Sequence, residues 1–190
     1  MTDEQRRQRF SKIVVPHLDD ALSLARWLTG SVADGEDVVQ DACIRAFSAI
    51  DSLREGNPRA WFLMIVRNTT FTWLAKNRPK ALIITSDDRV FEQATAEMAN
   101  SGRPATPEAA LIAKADADML KRAIAALPLP YREVLVLREI EGSSYREIAA
   151  ITSSPVGTVM SRLSRARTML IERIGAIGQT NTGIGKEGAA

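Results

Sequence analysis

Residues 144–170 carry the most constraining pattern in the chain: a hydroxyl-led short apolar run, a turn closed by proline, and a longer run with two chemically distinct faces. Ser144-Tyr145-Arg146-Glu147 has the spacing in which a hydroxyl and a carboxylate reciprocally cap the free backbone donors of a helix start, and Ile148, Ala149 and Ile151 follow as a packing face. Thr152-Ser153-Ser154 cannot easily prolong that helix into Pro155, whereas Ser154 as cap and Pro155 as first helical residue suit the start of another. In this second helix Val156, Val159, Leu163, Ala166 and Leu170 recur at helical spacing as an inward face, and Thr158, Ser161, Arg162 and Arg165 form a separate polar stripe. A short capped helix, a tight turn and a second helix bearing hydroxyls and guanidiniums read as a helix-turn-helix. Its outer groups can contact phosphate oxygens and, for arginine, the two major-groove acceptors of guanine. Taken alone, the second helix would also suit a solvated amphipathic surface.

Upstream, the period is helical throughout. Breaks at Pro16, at Thr29-Gly30 and at Glu55-Gly56-Asn57-Pro58 divide it into helices expected at 4–14, 17–29, 35–50 and 58–76. The third has Asp34 as its expected cap and Val38, Val39, Ala42, Ala46, Ala49 and Ile50 as its apolar stripe. Past Pro79 acids outnumber bases, and Gly102, Pro104 and Pro107 interrupt the chain, so 81–107 reads as a flexible acidic linker with a short helix near 88–99. Helical spacing returns from about Pro107 to Leu127, breaks at Pro128 and Pro130, and resumes until Glu141-Gly142. Residues 175–190 hold five glycines and no apolar period, which predicts a disordered tail. The expected fold is all-α: an N-terminal helical bundle over 5–80 and a C-terminal helix-turn-helix domain over 108–174.

No stretch approaches the roughly 20 apolar residues that span a bilayer, and the acidic start Met1-Thr2-Asp3-Glu4 is unlike a secretory signal, so a cytoplasmic location is expected. The lone cysteine, Cys43, cannot form an internal disulfide and reads as a buried structural thiol. Asp34, Glu36, Asp37 and Asp41 could in principle hold a hard cation, but no second ligand cluster accompanies them and the one histidine, His17, has no evident partner. No phosphate-binding glycine loop, nucleophile elbow or zinc motif occurs, so no catalytic residue, metal or cofactor is assigned, and the chain is expected not to be an enzyme. The net charge of +2 is too small to imply nucleic acid, and its distribution is the informative feature. Residues 58–80 carry Arg59, Arg67, Lys76, Arg78 and Lys80 with no acid, beside Trp61, Phe62, Phe71 and Trp73. Cations can follow a phosphate backbone while rings accept unpaired bases; equally, Trp61, Ile65 and Leu74 fit an inward core stripe.

The segment SSYREIAAITSSPVGTVMSRLSRARTMLIERI resembles the C-terminal DNA-binding domain of extracytoplasmic-function sigma factors, through Pro155, Gly157, Thr158, Val159, Ser161, Arg162, Arg165, Ala166 and Arg167. LPLPYREVLVLREIEG is similar to the helix pair upstream of it, PRAWFLMIVRNTTFTWL to the family's promoter-melting helix, and DGEDVVQDACIRAF to the segment that docks on the coiled coil of the polymerase's largest subunit. Ser153 stands where the family's turn usually has glycine, Met160 where a basic residue is common, and Thr72 where an acid is often found. The resemblance implies a compact sigma factor that binds core RNA polymerase through Glu36, Asp37, Gln40 and Asp41. It implies contact with the minus-ten element through Asn57, Arg59, Arg67, Asn68 and Lys76. It implies reading of the minus-thirty-five element with Thr158, Met160, Ser161, Arg162, Ser164, Arg165 and Arg167, of which Arg162 and Arg167 could instead clamp phosphates or support packing. An anti-sigma factor is the further partner it implies. Three rivals stand beside it: a helix-turn-helix regulator acting without polymerase, a sigma-like adaptor that titrates an anti-sigma factor, and a metal-dependent nuclease.

Overall fold

A computed structural model of the chain describes residues 2–53, 56–78 and 107–182, with side chains over 2–53, 56–78 and 115–175. Among these residues the chain is helical and contains no strand. The N-terminal half comprises α1 (Asp3–Ile13), α2 (Leu18–Thr29), α3 (Val32–Ala49) and α4 (Pro58–Asn77), with 3-10 turns at Val15–His17 and Ile50–Ser52. Thr2 and Gln5 cap α1 reciprocally, and Arg6 ties it to Asp51 at 2.7 Å. Phe10 meets Phe47 of α3 edge to face, ring centroids 5.6 Å apart.

A two-residue turn sets the geometry of α2 and α3. Gly30 ends α2 in the left-handed region at φ 71, a conformation that glycine adopts without Cβ strain. The Ser31 hydroxyl then accepts from Asp34 N at 3.3 Å. Ser31, not Asp34, is therefore the cap, and α3 starts three residues earlier than its apolar period predicts. Gly35 lies within the first turn, where a Cβ would come within 3.0 Å of Arg26 N, so its lack of a side chain lets α3 close on α2. Ala21, Leu24, Ala25 and Leu28 of α2 face Val38, Val39, Ala42 and Ala46 of α3, all of them buried.

On α4 the buried face runs through Phe62, Leu63, Val66 and Leu74, while Trp61 and Ile65 are only partly buried against that core. Leu74 is buried as its period predicts, but Phe62 and Val66 take the inward places expected of Trp61 and Ile65, because α4 has apolar side chains on more than one face and α2 and α3 cover the Phe62 side. Burying a side chain such as Phe62 contributes about 1.5–3 kcal/mol. Thr69 and Thr70, also buried, donate back to Ile65 O and Val66 O at 2.8 Å each, so their hydroxyls carry no unmet polar cost.

The C-terminal half comprises α5 (Pro107–Ala125), α6 (Leu129–Leu135) continued by a π-helical turn Val136–Ile140, α7 (Tyr145–Thr152) and α8 (Val156–Thr182). Helix α8 extends through 175–182, where a disordered tail is expected from the glycines; 183–190 lie outside the described residues. The expected linker also lies outside them, except for Pro107, which opens α5. The buried apolar residues form one cluster that runs through both halves. Arg132 bridges them: its guanidinium donates to Leu127 O at 3.0 Å and to Ala125 O, and approaches Trp27 O and Leu28 O at 3.5 Å. These carbonyls lie near the C-terminal ends of α5 and α2, where the helix dipole favours a cation. Burial pushes the guanidinium pKa down to about 10.

Candidate nucleic-acid and partner interfaces

The helix-turn-helix forms as its capping pattern predicts. Ser144 Oγ accepts from Glu147 N at 3.3 Å, and the Glu147 carboxylate accepts from Ser144 N at 2.8 Å. These backbone and hydroxyl contacts hold the Glu147 pKa below the ordinary carboxylate value. At the end of α7, Ser153 adopts φ 50, ψ 41. Ser154 N donates to Ala149 O at 3.0 Å and Ser153 N to Ala150 O at 3.4 Å, the paired bonds of a Schellman turn. Pro155 O accepts from Val159 N at 3.1 Å, so the next helix begins after the proline, not at it. The Ser154 hydroxyl, expected as its cap, donates instead to Thr152 O at 3.3 Å.

Val159, Leu163 and Ala166 seat α8 in the core. Val156, assigned by period to that face, is 39% exposed as the first residue of α8. The outer side presents Met160, 53% exposed, with Ser161, Ser164 and Arg165. Thr158 is half-buried at the edge of this surface. Arg167 is exposed and paired with Glu139 at 2.6 Å, which raises the guanidinium pKa. Arg162 points away from the outer surface, 3.7 Å from Glu133 Oε1 and 3.5 Å from Ser154 Oγ. Four of the expected minus-thirty-five residues thus share one open face, and Arg162 sits behind it as a packing and pairing residue.

The α3 acids form a second exposed surface. Asp37, Gln40 and Asp41 are exposed at helical spacing; Asp41 pairs with Arg45 at 2.9 Å and Glu36 with Arg26 at 3.0 Å. Val38 and Val39 point inward, as their hydrophobicity predicts. Ile44, 67% exposed, lies one turn beyond Gln40 and Asp41 on the same side. Sequence reading omits it, although an apolar residue continuing a polar i, i+3, i+4 row is a visible signal. Cys43 is half-buried and its thiol pKa is raised by that burial. Among the described residues no group of three or more His, Cys, Asp or Glu is placed to hold a metal ion. Among the same residues no helix is long and apolar enough to cross a membrane.

The five expected minus-ten residues do not share one open surface. Asn57, Asn68 and Lys76 are exposed, and Arg59 and Arg67 are half-buried. Asn57 caps α4, its Oδ1 accepting from Ala60 N at 3.2 Å, and its Nδ2 donates to Glu147 Oε1 of α7 at 2.6 Å. Arg59 is held by Asp20 at 2.5 Å, by Ser143 Oγ at 2.9 Å and by Glu141 O at 2.8 Å. Arg67 stacks over Phe71, 4.0 Å from its centroid, and forks onto Glu133 Oε2 and Oε1 at 2.9 and 3.3 Å. Arg78, counted among the basic groups of this segment, is tied to Asp34 at 2.7 Å. Of the aromatics, Phe62 is wholly buried, whereas Trp61, Phe71 and Trp73 are half-buried.

Glu133, Glu141 and Ser143 are partners that sequence reading did not find. Glu133 is 1% exposed, and desolvation raises its carboxyl pKa against the opposing effect of Arg67 and Arg162. Its position carried a signal: Leu129, Glu133 and Leu137 stand four apart, so an acid occupies an apolar row and must be paired if buried. Burial likewise raises the Glu141 pKa.

Comparison with known proteins adds a family context. The family model "Sigma-70 region 2" matches residues 13–79, and "Sigma-70, region 4" matches 117–170. The chain is similar to the ECF RNA polymerase sigma-E factor of Escherichia coli (strain K12), 33% identical over 174 residues that cover 88% of this chain and 87% of the relative. It is also similar to the RNA polymerase sigma-H factor of Pseudomonas aeruginosa, 30% identical over 164 residues covering 85% and 83%. Among solved structures, the sigma factor RpoE from Bartonella quintana, in complex with the anti-sigma factor NepR, superposes with a TM-score of 0.64 at 29% identity, covering 87% of this chain and 96% of that one. CnrH, in complex with the cytosolic domain of CnrY, gives 0.57 at 26% identity, covering 88% of each chain.

Proposed function

The chain belongs to the extracytoplasmic-function branch of the sigma-70 family, and we propose that it directs core RNA polymerase to promoters through separate faces on its two halves. One observation carries the division of labour: an open acidic face on α3 and an open polar face on α8 occur in one chain. Asp37, Gln40 and Asp41, joined by Glu36 at the rim, dock on a basic surface of the polymerase, where complementary charge speeds association and sets orientation. Met160, Ser161, Ser164 and Arg165 read the minus-thirty-five element from the major groove, with Thr158 and Arg167 beside them and Arg162 supporting the helix. Asn57, Arg59, Arg67, Asn68 and Lys76 handle the opened minus-ten strand, with Phe71 and Trp73 close by.

The N-terminal unit spans 5–80 and the helix-turn-helix unit 108–174, with 81–107 as the connection. Bond-making chemistry belongs to the polymerase, and the chain works in the cytoplasm beside it. The sigma factor RpoE of Bartonella quintana is solved in complex with the anti-sigma factor NepR, and by that likeness an anti-sigma factor holds this protein inactive. A helix-turn-helix regulator without polymerase would leave the α3 face with no role.

The test is run-off transcription with purified core polymerase on a promoter library. The wild type is expected to start transcripts, and Asp37→Arg/Asp41→Arg to lose them while retaining its helical circular dichroism. A wild type that starts no transcript with a competent core would refute the reading.

A further inference from the structure

The outer face of α8 begins with apolar groups. Met160, 53% exposed, and Val156, 39% exposed, stand one helical turn apart and so lie side by side at the start of the helix. Gly157 adds no side chain between them, and a Cβ there would meet nothing within 4 Å, so the surface beside them is open. Ser164, Ser161 and Arg165 follow round the helix, all exposed, and Arg165 lies about 140° from Met160 on the opposite margin of the face. An apolar margin and a cationic margin thus share one outer surface.

The two margins suit different chemistry. Arg165 fits the acceptors of guanine or a phosphate. A thioether and an isopropyl group have nothing to offer a phosphate, and pressed against a polar base edge they would strip it of water without replacing its hydrogen bonds. The major groove presents one apolar group on its base edges, the C5-methyl of thymine. Residues near the N-terminus of a recognition helix are those that reach base edges. Met160, unbranched and polarizable, can follow a methyl group over a range of positions.

We propose that Met160 is a specificity-determining residue that packs on a thymine methyl of the minus-thirty-five element, with Val156 flanking the contact, so that this chain requires thymine at the base pair facing that margin of α8. This rests on the sigma reading given above and names a base within the element that α8 reads. Arg165 discriminates by charge and hydrogen bonds, Met160 by one methyl group. The two therefore separate by salt, which weakens a phosphate-bound cation and leaves an apolar contact in place.

Uracil provides the test, because it lacks the methyl and keeps every hydrogen-bonding group of thymine. Preferred duplexes are selected from a randomised pool by the full chain alone and, in parallel, by the chain bound to core polymerase. Each thymine of the preferred site is then replaced singly by uracil. At one position uracil is expected to weaken wild-type binding about fourfold, as for the loss of one buried methylene-sized group. Met160→Ala should bind the thymine and uracil duplexes equally, whereas Arg165→Ala should bind both more weakly and keep the difference between them. Met160→Arg should lose the thymine preference and gain a salt slope steeper by about one. A wild type indifferent to uracil at every thymine overturns the proposal, and that result depends on no variant folding. A uracil penalty undiminished in Met160→Ala, or a selection that yields no preferred site, overturns it too. A methyl effect in a chain that starts no transcript with core polymerase would refute the sigma reading and leave this contact standing; transcription from the selected site with no methyl effect does the reverse.

Discussion

Replacing Ser153 by glycine should stabilise the protein, and the size of the gain follows from one backbone angle. Ser153 is the one non-glycine with positive φ among the described residues, at φ 50, ψ 41, as the left-handed residue of the Schellman turn that ends α7. An L-residue there costs about 1–2 kcal/mol from the Cβ–carbonyl clash. Glycine removes that cost but adds about 0.4–1 kcal/mol of chain freedom to the unfolded state. At mid-range the net expectation is a gain of about 0.8 kcal/mol, which for a chain of this size raises Tm by about 2–3 °C. Ser153 is exposed, so packing should not obscure the effect. Thermal melting of the full chain followed by circular dichroism is the assay. Ser153→Ala, which keeps the Cβ, should stay within about 0.5 kcal/mol of wild type, and Ser153→Val should fall below it because a β-branched residue fits this region poorly. Affinity for a minus-thirty-five duplex should be unchanged by the glycine, since the turn already has the shape glycine prefers. A lower Tm for Ser153→Gly would refute the strain argument.

Gly35→Ala should cost about 1–3 kcal/mol in urea unfolding, because the added Cβ would meet Arg26 Cγ at 2.9 Å and Arg26 N at 3.0 Å and force α2 and α3 apart. Arg132→Ala should cost about 1–3 kcal/mol, since it leaves part-buried carbonyls at Ala125 and Leu127 without their donor; chemical denaturation of the full chain reads it. The carboxylates predict opposite pH trends. The depressed Glu147 pKa contributes stability that is present above the ordinary carboxylate value and lost as pH falls through its lower folded value, so Glu147→Gln should flatten the acid limb of a stability–pH curve. Glu133 and Glu141, with raised values, bind protons more readily in the folded state, so their contribution falls as pH rises from the ordinary value through the raised one; Glu133→Gln should remove its part of that decline.

The parts of the fold that sequence reading captured are those set by neighbours along the chain. The Ser144–Glu147 capping box spans three residues and forms as its spacing requires. The apolar row of α3 is buried through Val38, Val39, Ala42 and Ala46. Errors arose where two local solutions competed. Ser31 and Asp34 can each cap a helix, and the left-handed Gly30 immediately before Ser31 favours the earlier one by turning the chain at that point. Trp61 and Phe62 are both large and apolar, and only the position of α2 and α3 decides which is covered.

The candidate site shows a deeper limit. The resemblance implies DNA contacts for Arg59 and Arg67, and a guanidinium suits phosphate, but the same fork binds a carboxylate equally well. Residue type therefore identifies an anion-binding group without identifying its anion. For Arg165 nothing competes, because α8 presents it outward with no carboxylate partner among the described residues. For Arg67 the competitor lies 66 residues away on α6, beyond any helical or turn spacing. The buried acid in the row Leu129, Glu133, Leu137 signals that some cation must approach, yet Arg67, Arg162 and the adjacent Arg132 all meet that requirement on paper. In the folded chain Arg67 and Arg162 turn to Glu133 while Arg132 turns to carbonyls at helix ends. That choice leaves Arg67, expected at the minus-ten strand, paired across the two halves, while Arg165 keeps an open face.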